Sequence, residues 1–336
     1  MATVEVPMGR VGALRRAGGI ALSVLAGLSL SVVPAAAEEP AYQHYVALGD
    51  SFTSGPLIPW MRLDPLLCGR STNNYPALLA RELEPAEFTD VSCGGADTAD
   101  MTSAQDWYAG PQFDALTPET DLVTLGIGGN DSSVFGDVIA TCSALRATDP
   151  VGSPCREHFA VDGGDDLERR IEITGHRVAE VVRGVQERSP RARILVIGYP
   201  RIVPPSGYCP DVIPIADGDY RYADEIEQQL NAAIAGAAER TGVTFVDTYG
   251  PSLGHDACAT AGAAWINGQH LSPVAAPYHP FASAMAAQAS IIADVLDGEA
   301  PNVVEAERAA ERAARETERA PDQAAARAQL TEHAPW

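Results

Sequence analysis

Apolar positions along the chain fall into two rhythms. The first is a set of short, continuous apolar runs, each closed by Gly, Asp or Pro. Tyr45-Val46-Ala47-Leu48 runs into Gly49-Asp50-Ser51, and Phe88 to Ser92, Leu122 to Ile127, Ile194 to Ile197 and Val243 to Val246 repeat the form. Runs without polar alternation suit strands buried on both faces, as in a parallel sheet. The second rhythm is helical. Residues 166–189 space Ile171, Ile173, Val178, Val181, Val182 and Val185 in a helix-like way. Residues 222–242 end at Gly242, a C-cap signal, and residues 279–298 begin beside a Pro and end at Gly298. Strand–helix alternation predicts an α/β domain of three layers around a central parallel sheet.

Both ends depart from this pattern. Arg10, Arg15 and Arg16 precede an uncharged, mostly apolar stretch from Gly18 to Val33, and Ala35-Ala36-Ala37 then offers a cleavage site before Glu38-Glu39. Residues 1–37 therefore read as an export signal. The alternative is an uncleaved membrane anchor, for which the apolar stretch is short against the ~20 residues of a span. Residues 299–336 are rich in Ala, Glu and Arg with almost no large apolar side chain, which suits a solvated helix or a disordered extension.

Charge and cysteine content narrow the classes. The formal charge is -22, and every basic residue is Arg. Such a chain repels nucleic acid and anionic membrane surfaces, so a neutral substrate or a local apolar contact is expected. Cys68, Cys93, Cys142, Cys155, Cys209 and Cys258 all follow the export signal, which suggests three disulfides in an oxidising compartment. Spacing alone does not choose among the 15 pairings of six cysteines. None forms a C-x-x-C pair, so a zinc or thioredoxin-type site is not expected.

In a parallel α/β sheet, ligands bind beyond the carboxyl ends of the strands. Gly49-Asp50-Ser51, Gly94-Gly95 and Gly128-Gly129-Asn130-Asp131 lie there, and His279 opens the last helix. Acyl transfer needs parts of this kind. Serine is a weak nucleophile that needs a base, and histidine titrates near working pH. A tetrahedral oxyanion needs preorganised donors, each worth roughly 10²–10³ in rate. Ser51 as nucleophile, His279 as base, and the Ser51 N–H, the Gly95 N–H and the Asn130 side chain as oxyanion donors make a set. Each part has a plainer reading: a helix cap for Ser51, a turn for the Gly pair, a helix start for Asn130, a surface residue for His279. The α/β-hydrolase elbow G-x-S-x-G is absent, since Thr53 stands where its second Gly belongs.

With these residues in place, the chain resembles the SGNH or GDSL hydrolase family over roughly Tyr45 to Leu296. Its four blocks correspond to Ser51 in GDSF, Gly95 in SCGGA, Asn130 in GGND and His279 in PYHP. YVALGDSFTSG, NNYPALLA, VIGYPR and the Trp265 segment resemble the secreted actinomycete branch of lipases, esterases and phospholipases. The resemblance implies a flavodoxin-like α/β/α fold, with residues 38–298 as the catalytic domain. It also implies disulfides Cys68–Cys93, Cys142–Cys155 and Cys209–Cys258, and it selects Gly95 over Gly94 by the Gly-Ala step. Many members carry D-x-x-H, but Ala276 stands three residues before His279 here. The resemblance therefore implies a Ser–His dyad whose histidine is oriented by a main-chain carbonyl, that of Pro277 or else Ala276. A distant Asp is the alternative.

The expected function is a secreted serine esterase or lipase acting on acylglycerol, phospholipid or short-chain acyl esters, with no metal or organic cofactor. A like-charged partner such as nucleic acid is not expected; a monomer with transient contact with a lipid surface is, and the apolar residues 56–65 after the serine suit a lipid-accepting groove. The alternative is a polysaccharide O-deacetylase, with Trp60, Trp107 and Trp265 as candidate sugar-stacking aromatics. A catalytically inactive envelope-binding protein is the reading from another class.

Overall fold

A computed structural model describes residues 40–332, with side chains through residue 317. Residues 1–37, read above as an export signal, lie outside the described residues. In chain order the strands are β1 (His44–Gly49), β2 (Glu87–Asp90), β3 (Leu122–Gly126), β4 (Ala160–Val161), β5 (Gly164–Asp165), β6 (Arg193–Ile197) and β7 (Thr244–Val246). The helices are α1 (Ser51–Ser54), α2 (Tyr75–Leu83), α3 (Val134–Leu145), α4 (Pro154–Phe159), α5 (Asp166–Arg188), α6 (Tyr220–Thr241), α7 (Ala282–Leu296) and α8 (Val303–Glu332).

The main sheet is five-stranded and parallel, in the order β2-β1-β3-β6-β7, while β4 and β5 form a separate two-residue ribbon. Counting only strands of the main sheet, this is the flavodoxin-like order 2-1-3-4-5. Side chains alternate between two cores. Val46, Leu48, Val123, Leu125, Ile194 and Val196 face the layer of α5 and α6, whereas Tyr45, Ala47, Leu122, Leu195 and Ile197 face α2 and α7. Burial on both faces is why these strands read as unbroken apolar runs.

The long helices follow their caps. Asp165 accepts from the Leu167 and Glu168 N–H groups at the start of α5, and Gly242 in the left-handed region closes α6. Ile173 corrects the sequence pattern: it is 49% exposed, because it lies two residues from Ile171 and so points to the opposite side of α5. The C-terminal tail is a second correction. It does not stand clear in solvent; α8 packs along α7, burying Ala306 and Ala310. Alanines let the two helices approach closely. Trp265 is the third: it is 2% exposed and stacks on His255 at 4.2 Å, so it is not available to a sugar.

The disulfides are Cys68–Cys93, Cys142–Cys155 and Cys209–Cys258, the pairs that the family resemblance implies. Among the described residues no helix is long and apolar enough to cross a membrane.

Candidate active site

In the 2-1-3 part of the sheet order, the chain leaves β1 toward one neighbour and later enters the sheet on its other side. The carboxyl ends of β2, β1 and β3 therefore lie in a row. Gly95 follows β2, Ser51 follows β1 and Asn130 follows β3. Topology alone thus gathers three of the four sequence blocks.

Ser51 is the first residue of α1, with Asp50 as its cap: Asp50 Oδ1 accepts from the Phe52 N–H at 2.8 Å. The turn is tight because Gly49 precedes it. A Cβ there would lie 2.3 Å from Thr53 Oγ1 and 2.6 Å from the Gly126 carbonyl oxygen. The Gln112 side chain braces the same glycine, accepting from its N–H at 2.8 Å and donating to its carbonyl at 2.9 Å. Asp50 is fully buried, and burial pushes its carboxyl up to about 7 despite the hydrogen bonds from Tyr199 and Phe52.

Gly95 has φ +79°, a conformation that favours glycine, and it is exposed. Three bonds tie its loop to the β3 loop. Asn130 Nδ2 donates to the Ala96 carbonyl at 2.9 Å, and buried Asp131 accepts from the Thr98 N–H at 3.1 Å and its hydroxyl at 2.5 Å. One Asn130 N–H is used in this way and the second is left for another acceptor. Ser132 and Ser133 both have positive φ, so the backbone directly after this loop holds a conformation that costs of order 1–3 kcal/mol per residue.

His279 lies on the segment between β7 and α7. Its Nδ1 is 2.7 Å from the Pro277 carbonyl, so Nδ1 carries the proton and Nε2 presents its lone pair. Its ring centroid is 5.4 Å from that of Phe52, the residue after Ser51. Burial lowers the imidazole pKa and the Pro277 bond opposes that; no carboxylate among the described residues contributes to the shift. The Asn267 side chain secures the loop by donating to the carbonyls of His270, Ala275 and Ala276, while the Ala276 N–H bonds the Pro56 carbonyl beyond α1.

Asp50, Gln112, Tyr199 and Asn267 support the site but carried no role in the sequence reading. The partners of Gln112 and Tyr199 lie far away along the chain; Gln112 is 63 residues from Gly49 and Tyr199 is 149 from Asp50. The only signal was local: Asp50 stands inside the GDS turn and Tyr199 inside VIGYPR. A narrow apolar crevice of about 20 Å³ opens beside the site between Phe135, Val138, Ile139, Val203, Ile226 and Tyr278. Wider grooves of about 500 and 480 Å³ flank α8 and do not include Ser51.

A model of the GDSL-like lipase/acylhydrolase family matches residues 47–287. The chain is 40% identical over 294 residues to lipase 2 of Streptomyces coelicolor, which covers 84% of this chain and 98% of that lipase. Among solved structures, phospholipase A1 from Streptomyces albidoflavus is 29% identical with a TM-score of 0.63, covering 77% of this chain and 100% of that one. An extracellular lipase from Streptomyces rimosus is 30% identical with a TM-score of 0.62, covering 76% and 99%.

Proposed function

The chain belongs to the GDSL-like lipase/acylhydrolase family and is an ester hydrolase of the lipase/esterase type, and from that premise we propose that it works through an acyl-enzyme on Ser51. His279 Nε2 takes the Ser51 proton as Oγ attacks the ester carbonyl. The tetrahedral oxyanion is held by the Ser51 N–H, the Gly95 N–H and the Asn130 side chain. The protonated His279 then gives its proton to the leaving alcohol, and water releases the acid by the reverse sequence. The observation that carries this reading is the 2.7 Å contact between His279 Nδ1 and the Pro277 carbonyl. It fixes the tautomer a base needs and does the orienting that an aspartate does in a triad. No step calls on a metal or organic cofactor.

The natural substrate in this reading is an acylglycerol, phospholipid or short-chain acyl ester met at a neutral lipid surface. Leu57, Trp60, Leu63, Leu66 and Leu67 are all exposed in the segment between α1 and Cys68, which supports transient contact with lipid. The acidic chain disfavours anionic surfaces and nucleic acid. Residues 1–37 act as the export signal of a secreted monomer; three disulfides fit that compartment. Residues 38–298 are the catalytic domain and residues 299–336 a tail applied to it.

The test is hydrolysis of p-nitrophenyl esters of increasing chain length by wild type and Ser51→Ala. Activity is expected to vanish in the variant, and equal rates would sink the assignment. One observation favours polysaccharide O-deacetylation as a second reading: Trp107 is 86% exposed on a loop whose Gln105 donates to the Gly94 carbonyl at 2.8 Å. Activity on acetylxylan with none on longer acyl esters would select it.

A further inference from the structure

Tyr199 stands just beyond the carboxyl end of β6, and its hydroxyl lies between two parts of the site. It donates to Asp50 Oδ2 at 2.5 Å and accepts from the Gly129 N–H at 2.8 Å. Asp50 caps the helix that begins with Ser51. Gly129 directly precedes Asn130. One buried oxygen atom therefore bonds the nucleophile turn and the loop that carries the Asn130 side chain.

The surroundings leave the tyrosine little freedom. Its ring meets Phe52 edge-on at 5.2 Å and Phe135 edge-on at 4.9 Å. Its backbone is held from both sides by Asn231, which accepts from the Tyr199 N–H at 2.8 Å and donates to the Tyr199 carbonyl at 3.2 Å. Gly129 fits the same assembly by lacking a side chain. A Cβ there would lie 2.3 Å from the Phe135 ring and 3.1 Å from the Tyr199 hydroxyl. Packing alone accounts for an aromatic ring at this position. It does not account for the hydroxyl, which would be costly to bury without partners and here has two.

We propose that Tyr199 is a positioning residue that fixes the Ser51 turn against the Gly129–Asn130 backbone, holding the nucleophile and the Asn130 carboxamide in one register. It touches neither substrate nor the reacting atoms. The inference rests on the reading of Ser51 as the nucleophile and Asn130 as an oxyanion donor. Its consequence is kinetic: loosening the clamp lets two groups drift that must act together in the transition state but not in ground-state binding.

Tyr199→Phe removes the hydroxyl and keeps the ring. With the concentration of competent enzyme set by fluorophosphonate titration, kcat is expected to fall roughly 10- to 100-fold, since misplacement of about 1 Å costs that order. KM is expected to stay within about twofold, because ground-state binding is untouched. Hydrogen exchange measured by mass spectrometry gives a readout independent of turnover. Peptides covering residues 49–55 and 128–134 should both exchange faster in the variant, with β1 and β3 unchanged. Wild-type kcat in Tyr199→Phe, or faster exchange in neither or only one of the two segments, would overturn the proposal. Asp50→Asn provides a second route should the first variant fold poorly. Phe52 and Tyr199 donate to different oxygens of the carboxylate, and an amide keeps only one acceptor oxygen beside an NH2 donor, so both donors can no longer be accepted as they are in wild type. Its kcat should fall with KM held, and the double variant should be no worse than the worse single one. Wild-type kcat in Asp50→Asn, or strictly multiplicative losses in the double variant, would also overturn the clamp. Failure of wild type itself to react with fluorophosphonate would instead overturn the nucleophile assignment, while the exchange measurement still reads the clamp.

Discussion

At the scale of residues, two titrating groups make opposite predictions about pH. His279 has its pKa lowered from 6.5, first by burial, so the neutral base persists into mildly acid solution. The acid limb of kcat/KM is expected below pH 6.5, and a limb above that value in wild type would contradict the burial argument. Asp50 moves the other way, from 3.8 up to about 7. A raised carboxyl pKa means the folded state holds a proton that the unfolded state has released. The stabilisation is complete below the unfolded pKa and is lost as pH rises through the folded one. Asp50→Asn has no such titration. From about pH 4 to about pH 8, wild type should lose unfolding free energy relative to the variant. Parallel stability curves in urea titrations would show that Asp50 ionises as in the unfolded chain. For Asn130→Ala, the loss of an oxyanion donor predicts a fall of roughly 10²–10³ in kcat. A fall in KM-controlled binding alone would assign Asn130 to its tie with the Ala96 carbonyl. Ser51, Gly95 and Asn130 were visible in the sequence because each sits in a short Gly-containing break after a strand run, and His279 because it stands beside a Pro at the start of the last helical stretch. Tyr199 and Gln112 were not, because their partners Asp50 and Gly49 lie 149 and 63 residues away and nothing local records such a bond.

At the scale of elements, legibility followed burial. Strands β1, β3 and β6 read clearly because both faces are covered, which leaves no polar alternation to confuse them. The β4–β5 ribbon was invisible, since two residues per strand make no pattern. Helix α5 was found, but its pattern was drawn too wide. Ile171 is 3% exposed while Ile173 is 49% exposed, so the two isoleucines should respond differently. Ile171→Ala is expected to cost ~2–5 kcal/mol, the range for emptying a packed core site. Ile173→Ala should stay within about 0.5 kcal/mol, as surface changes do. Urea midpoints for the pair check this, and similar costs would mean that α5 has a second buried face. For helix α3 the sequence offered only the plainer reading of Asn130 as a helix start, without bounds. It begins after Ser132 and Ser133 with positive φ, so the usual N-cap geometry is absent at its start.

At the scale of the whole molecule, the question is why a helix with almost no large apolar residues docks at all. The answer lies in α7. Its residues Ala284, Ala287, Ile291 and Ile292 are buried, and so are Ala282, Ala289 and Ala293 on other sides. A helix that is apolar all round needs cover on both of its faces. The sheet supplies one, and α8 supplies the other through Ala306 and Ala310. Composition made the tail look solvated because large side chains usually mark a buried face; here small ones do, since the partner already carries the bulk. Two substitutions separate the docked helix from a solvated one. Ala310→Arg forces a long side chain into the α7–α8 contact, and overpacking of this kind costs ~1–3 kcal/mol. Arg308→Ala, on the outer side of the same helix, should change stability by less than about 0.5 kcal/mol. Because α8 lies apart from the Ser51 turn, kcat on a soluble short ester should be unchanged in both folded variants. A neutral Ala310→Arg in urea unfolding would mean that the tail does stand free and that α7 finds its cover elsewhere.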